Sequence, residues 1–153
     1  MHDGSVHVPR ILHREKPDGL TIAFSTAKID ELYNQTLANI PFDSPETTNC
    51  KDWLRKCVEQ GLLQQATVSV DDIPVGLITY AVVGDFKKEL LISTAYISDK
   101  RFDYVPILIT FAKKIAAFHD CQFIRFHTAR KGLVKKALAH GFHVSEIVCR
   151  LTL

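Results

Sequence analysis

With 153 residues, 46% of them hydrophobic and 24% charged, and a net charge of +2, the chain has the make-up of one globular domain. That is enough to bury a core without disulfides or metals. No apolar run is long enough to span a bilayer and the first residues carry no signal-peptide block, so secreted and membrane-spanning classes are set aside and a cytoplasmic location is expected.

Charge is distributed unevenly. Residues 1–99 hold nine Lys/Arg against fourteen Asp/Glu, whereas residues 100–140 hold nine against two. A basic segment of this kind suits an anionic ligand. Lys113, Lys114, Lys135 and Lys136 equally fit the wet faces of two amphipathic helices. The four cysteines, Cys50, Cys57, Cys121 and Cys149, lack C-x-x-C spacing and read as free, mostly buried thiols. The seven histidines are scattered, so no metal site is expected.

In chain order, Met1–Gly19 is polar, contains Pro9 and Pro17, and reads as an extended arm suited to holding a protein partner. Leu20–Phe24 alternates as a short strand. Ser25 or Thr26 then caps a helix whose apolar face is Ile29, Leu32, Tyr33, Thr36, Leu37 and Ile40, stopped by Pro41. A loop over Pro41–Asn49 leads to a second helix from about Cys50 to Gly61. The stretch ATVSV-DDIP-VGLITYAVV is a hairpin turning at Asp71, Asp72 and Pro74. Leu90–Ile97 is rich in branched and aromatic residues and reads as a central strand. From Tyr104 the spacing of Val105, Leu108, Ile109, Ala112, Ile115 and Ala116 is helical, with Asp103 as cap and Pro106 tolerated in the first turn. Phe123–His127 is a short strand and Gly132–His140 a helix ending at Gly141. HVSEIVCRLTL alternates as a final strand. A strand–helix–strand unit of this length makes its two strands parallel. The expected fold is α+β: a mixed sheet flanked by helices in the order β-α-α-β-β-β-α-β-α-β, one domain over residues 20–153 behind the arm 1–19.

This order, the hairpin Val70-Asp71-Asp72-Ile73-Pro74-Val75-Gly76, and Ala139-His140-Gly141-Phe142 before the last strand resemble the GNAT superfamily of N-acetyltransferases. The resemblance implies acetyl-CoA as acyl donor and an amine as acceptor, with the donor between the Leu90–Ile97 and Phe123–Thr128 strands. Backbone at Ala95, Tyr96 and Ile97 would meet the pantetheine. Lys100, Arg101, Phe102, Asp103 and Tyr104 would form the loop facing the phosphates. Relatives use a Q/R-x-x-G-x-G/A loop there, whose backbone N–H groups and helix N-terminus hold the pyrophosphate. Ser98–Val105 has no glycine. Relatives often carry an Asn and, seven residues later, a Tyr that acts as general acid. Those positions fall on Arg130, which joins the cofactor-binding set, and on Ala137, which has no proton to give. His127, at a strand end, and Glu89, at the start of the central strand, are the remaining candidate acid and base. No G-x-S-x-G, H-E-x-x-H or Walker pattern is present, and the basic helices lack the aromatic interleaving of a single-strand nucleic-acid binder.

Two readings follow. One is a divergent acetyl-CoA-dependent N-acyltransferase with an eroded cofactor loop and no Tyr acid. The other is a non-catalytic binding or assembly module, as in the GNAT-like chains of bacteriophages, some of them packaged in the virion.

Overall fold

The structure is a computed structural model that describes residues 8–39, 53–128, 131–147, 149 and 151–153. The arm residues 1–7, the Pro41–Asn49 loop, Cys50 and Arg130 of the sequence reading lie outside the described residues.

One six-stranded sheet runs in sequence order: β1 (Ile11–Glu15), β2 (Ile22–Ser25), β3 (Gln64–Val70), β4 (Ile73–Val83), β5 (Glu89–Ile97) and β6 (Phe123–Phe126). Every neighbouring pair is antiparallel except β5–β6, which is parallel. Among the described residues four α-helices accompany the sheet: α1 (Asp30–Asn39), α2 (Trp53–Glu59), α3 (Val105–Phe118), which crosses from β5 to β6, and α4 (Lys131–Ala139).

The core divides at the sheet. On one face Phe24, Ala66, Val68, Ile78, Tyr80 and Leu90 pack with Ile107, Phe111, Ala112 and Ala116 of α3. On the other, Leu32 and Tyr33 of α1 meet Leu54 of α2 and Leu77 of β4. Alternation along β4 sends Leu77 one way and Ile78 the other, as a strand covered on both faces requires. Phe111 is the centre of the α3 side: 1% exposed, stacked on Phe24 at 4.3 Å and edge-on to Tyr80 at 6.0 Å. The opposite face is pinned by polar contacts. The Tyr33 hydroxyl donates to Gln65 Oε1, and Gln65 Nε2 donates to the carbonyls of Thr26 and Ala27, fixing the β2–α1 junction. Burial pushes the Tyr33 hydroxyl up to about 12, with the Arg55 charge opposing it.

Several sequence expectations are corrected. Ile11–Glu15, read as arm, is an edge strand paired with β2. It shows no alternation because Leu12 is an extra residue against Ser25–Phe24, which breaks the period. The hairpin turn is Asp71–Asp72 alone, both at positive φ (48° and 70°). Such a primed turn closes in two residues, so Pro74 belongs to β4, beside a second bulge. The described residues after Phe142 pair with no strand, although their alternation predicts one. Ile147, Leu151 and Leu153 are exposed there. Alternation specifies a face, not a partner. Among the described cysteines, all free, Cys57 and Cys121 are half-buried, but Cys149 is exposed.

Phe111→Ala removes the ring against which Phe24 and Tyr80 pack, and should cost about 3–5 kcal/mol of unfolding free energy. Urea denaturation measures it; a loss under about 1 kcal/mol would place the stabilising centre elsewhere.

Candidate functional site

Parallel pairing of β5 with β6 covers Glu89–Ile92 against Phe123–Phe126 and stops there. β5 continues for five further residues, Ser93–Ile97, roughly 17 Å of strand with β4, among the described residues, as its one ladder partner. The cause lies in β5 itself. Thr79 faces Thr94 while Tyr80 faces Ile92, so Ser93 is a bulge at the point where β6 ends. The buried Thr79 and Thr94 hydroxyls, 2.7 Å apart, fasten the strand to β4 just past the bulge.

The backbone of this free end has a definite orientation. Ser98 N–H donates to Val75 O at 2.8 Å, towards β4. By alternation the N–H and C=O of Ile97 and Ala95 point away from β4, into the gap beside β6. Ala95 is exposed, Tyr96 half-buried and Ile97 buried. Gly76, opposite Ile97, permits the close approach of β4: a Cβ there would lie 2.5 Å from Tyr96 O and 2.7 Å from Ile97 Cγ1.

The loop between β5 and α3 closes on its own side chains. The Asp99 carboxylate, 8% exposed, accepts from Arg101 N–H at 3.0 Å, Arg101 Nε at 3.0 Å, Arg101 Nη2 at 3.1 Å and the Tyr104 hydroxyl at 2.8 Å. These donors, the Arg101 side chain foremost, then its backbone N–H and the Tyr104 hydroxyl, hold the Asp99 carboxyl well below the usual carboxylate range. Desolvation, then the bond to Asp99, raises the Tyr104 hydroxyl above its ordinary value. Lys100 Nζ turns back to donate to Ile97 O at 3.0 Å, with the Tyr96 ring 5.3 Å away. Asp103, expected as the cap of α3, lies one residue before the N-cap position, which Tyr104 takes without a side-chain cap; it accepts Val105 N–H at 3.1 Å in a local turn and meets Lys136 of α4 at 3.4 Å. Phe102 packs edge-on to Tyr104 at 5.2 Å and lies against the core.

The catalytic candidates lie elsewhere on the parallel pair. Glu89 opens β5, at the end opposite the loop, and its carboxylate is 3.3 Å from Arg125 Nε. His127 directly follows β6, is 60% exposed, and its Nε2 stands 3.9 Å from Glu146. Glu146 also meets Arg125 at 3.5 Å, so Glu89, Arg125, Glu146 and His127 stand in one row of neighbouring polar side chains. Arg125 and Glu146 were missed from the sequence, since partners on separate elements share no local period. Sequence position also gave no sign of Asp99 as the acceptor that organises the loop. Ala137 is buried. Among the described residues no three His, Cys, Asp or Glu side chains converge on a metal-sized site, and no helix is long and apolar enough to cross a membrane. A depression of about 220 Å³ lined by Thr26, Lys28, Val58, Leu63, Gln64 and Gln65 lies away from these groups.

No protein-family model matches the sequence, and no curated protein matches it at a significant level. Solved structures do match the fold. A Pyrococcus furiosus protein classed as an acetyl transferase superposes with TM-score 0.69 at 15% identity, over 88% of this chain and 99% of that one. A transcriptional regulator from Bacillus halodurans gives 0.63 at 14% identity, over 86% and 99%. An aminoglycoside N-acetyltransferase in complex with CoA gives 0.58 at 15% identity, over 81% and 85%. The fold is therefore GNAT-like, a mixed α+β sheet flanked by four helices, as the sequence resemblance implied.

The lowered Asp99 carboxyl sets a sign. Its contribution to stability is complete above the unfolded value, near 3.8, and disappears as pH falls through the lower folded value. Wild-type stability should therefore drop below about pH 4 by more than that of Asp99→Asn, read from urea midpoints across the acid range. Identical acid limbs would assign the drop to other carboxylates.

Proposed function

We propose that this chain is an acyl-transfer protein of the N-acetyltransferase kind, taking the acyl-pantetheine arm of acetyl-CoA between β5 and β6 and passing the acyl group to an amine. The observation that carries this reading is the free end of β5. A pantetheine arm has two amides in an extended chain, and Ser93–Ile97 offers strand backbone with no ladder partner on the β6 side. Ala95 supplies an outward N–H and C=O and Ile97 an outward N–H, the Ile97 carbonyl already accepting from Lys100, and Tyr96 flanks them. A neighbour of the same fold solved in complex with CoA supports the choice of donor.

The phosphate end fits less well. Lys100 and Arg101 have the right charge, but each already serves an acceptor within the loop. Arg130 is a further cation of this set by sequence position. Acetyl-CoA supplies an acyl group activated as a thioester; the protein supplies alignment, which accounts for most of the acceleration in a transfer between two bound reactants. With Ala137 at the Tyr position, no side chain there donates a proton. His127, beside Glu146 at the carboxyl end of the parallel pair, takes the proton from the acceptor amine in this reading. Glu89 keeps Arg125 in place from the far end of β5.

A second reading, a binding or assembly module without catalysis, is favoured by the same loop. Its cations are paired internally, and a protein named as a transcriptional regulator shares the fold. Attachment through the N-terminal segment would belong to this reading.

Acetyl-pantetheine, which lacks phosphates, separates the two. Under the transfer reading it binds in calorimetry, and Ala95→Pro, which deletes one outward N–H where no ladder bond is lost, weakens binding about tenfold with an unchanged circular dichroism spectrum. No heat from the wild type at about millimolar ligand, an affinity worth only some 4 kcal/mol, would leave the module reading alone.

A further inference from the structure

We propose that Asp99 is a built-in anion that fills the phosphate-facing loop, making it a specificity-determining residue that discriminates against acyl donors anchored by a diphosphate. The inference rests on the reading of the β5–β6 gap as a donor cleft, and adds what the chain selects at the cleft's outer end.

The donors of the loop are largely committed to its own carboxylates. A diphosphate at a strand-to-helix loop would be held by backbone N–H groups, a guanidinium, an ammonium and hydroxyls. Here the Arg101 N–H, both guanidinium nitrogens facing the loop, and the Tyr104 hydroxyl all converge on the two oxygens of Asp99. The Asp99 side chain is 8% exposed while that of Arg101 is 77% exposed, so the carboxylate is the inner member of the pair and the arginine folds over it. A second carboxylate repeats the arrangement one turn on: Asp103 takes the Val105 N–H and the Lys136 ammonium. Pro106 has no N–H to add. Lys100 is turned back onto Ile97 O. An incoming diphosphate thus meets two fixed negative charges, and donors that must first release them.

Of the strand groups assigned to the pantetheine, only the Ile97 carbonyl is engaged by the loop, through Lys100; Ala95 lies on β5 clear of Asp99 and its partners. The chain is therefore set to recognise a thioester by its pantetheine arm and to gain little from phosphates. Neutralising Asp99 while keeping its shape should convert the loop into a phosphate site.

The test uses the full chain and three probes in calorimetry: inorganic pyrophosphate, CoA and pantetheine. In the wild type CoA should bind no more than about threefold more tightly than pantetheine, as expected when the phosphates add no net contact. Asp99→Asn should strengthen pyrophosphate and CoA binding by about tenfold or more, the scale of one charge-assisted contact, and leave pantetheine unchanged. Adding Arg101→Ala to Asp99→Asn should remove the gain, and raised salt should shrink it. Wild-type CoA binding more than about tenfold tighter than pantetheine, or no pyrophosphate gain in Asp99→Asn, would overturn the proposal. Pyrophosphate reads the loop without the cleft. Absent pantetheine binding would therefore defeat the cleft reading, while the pyrophosphate result still decides on Asp99. If Asp99→Asn loses its folded circular dichroism signal, Asp99→Ser, which keeps a hydroxyl for Arg101 and Tyr104, takes its place.

Discussion

Four ladder rungs join β5 to β6 before Ser93 bulges out of register, and most of what distinguishes this sheet follows from that early separation. Strands β2 to β5 are held by continuous antiparallel pairing and by side chains packed on both faces. Past Ile92 the last pair diverges, because a bulge bends and twists its own strand, and β6 is too short to follow. The crossover helix α3 spans the two, its buried row, Ile107, Phe111, Ala112 and Ala116, packing in one core with β2 to β5 and with Ile124 of β6. Gly76 and the Thr79–Thr94 pair belong to the same device. They press β5 against β4 and keep its other edge bare.

At the mouth of that gap, charge is balanced locally. The excess of basic residues in the second half of the chain suggests a positive surface awaiting an anion. Yet Arg101 lies against Asp99, Lys136 against Asp103, and Arg125 between Glu89 and Glu146. Exposed pairs of this kind contribute little stability, commonly under about 1 kcal/mol each, so their main effect is on conformation and on what else can bind. The loop keeps a fixed shape without glycine because its polar groups are satisfied by its own carboxylates. A glycine-lined cradle leaves those groups for a ligand.

Much of the scaffold was legible in the sequence. The helical spacing from Val105 to Ala116, the Asp71–Asp72 turn, and the strand–helix–strand order through Phe126 each rest on periodicity or on residues with special backbone preferences. Such signals are local and survive in a single sequence. Edges were harder. Ile11–Glu15 pairs on one side and contains a bulge, so its side chains never alternate cleanly, whereas the residues after Phe142 alternate without a ladder partner. The site was half legible. The absent glycines and Ala137 could be read directly. What Asp99 does, and the meeting of Glu89 with His127 through Arg125 and Glu146, depends on side chains from separate elements converging, which no spacing encodes.

The short parallel ladder also sets where the molecule can loosen. Among the described residues β6 is held by four residue pairs on one side, with half-buried side chains and Phe123 exposed. β3 and β4 are paired on both sides and buried for most of their length. Local opening draws on the segments with the fewest buried contacts, so amide hydrogens of β6 should exchange with solvent through partial excursions that leave the β2–β5 body intact. One wall of the cleft is then a low-stability unit hinged on a rigid sheet. Widening of the gap by detachment of β6 would require no rearrangement of the strand that forms its other wall.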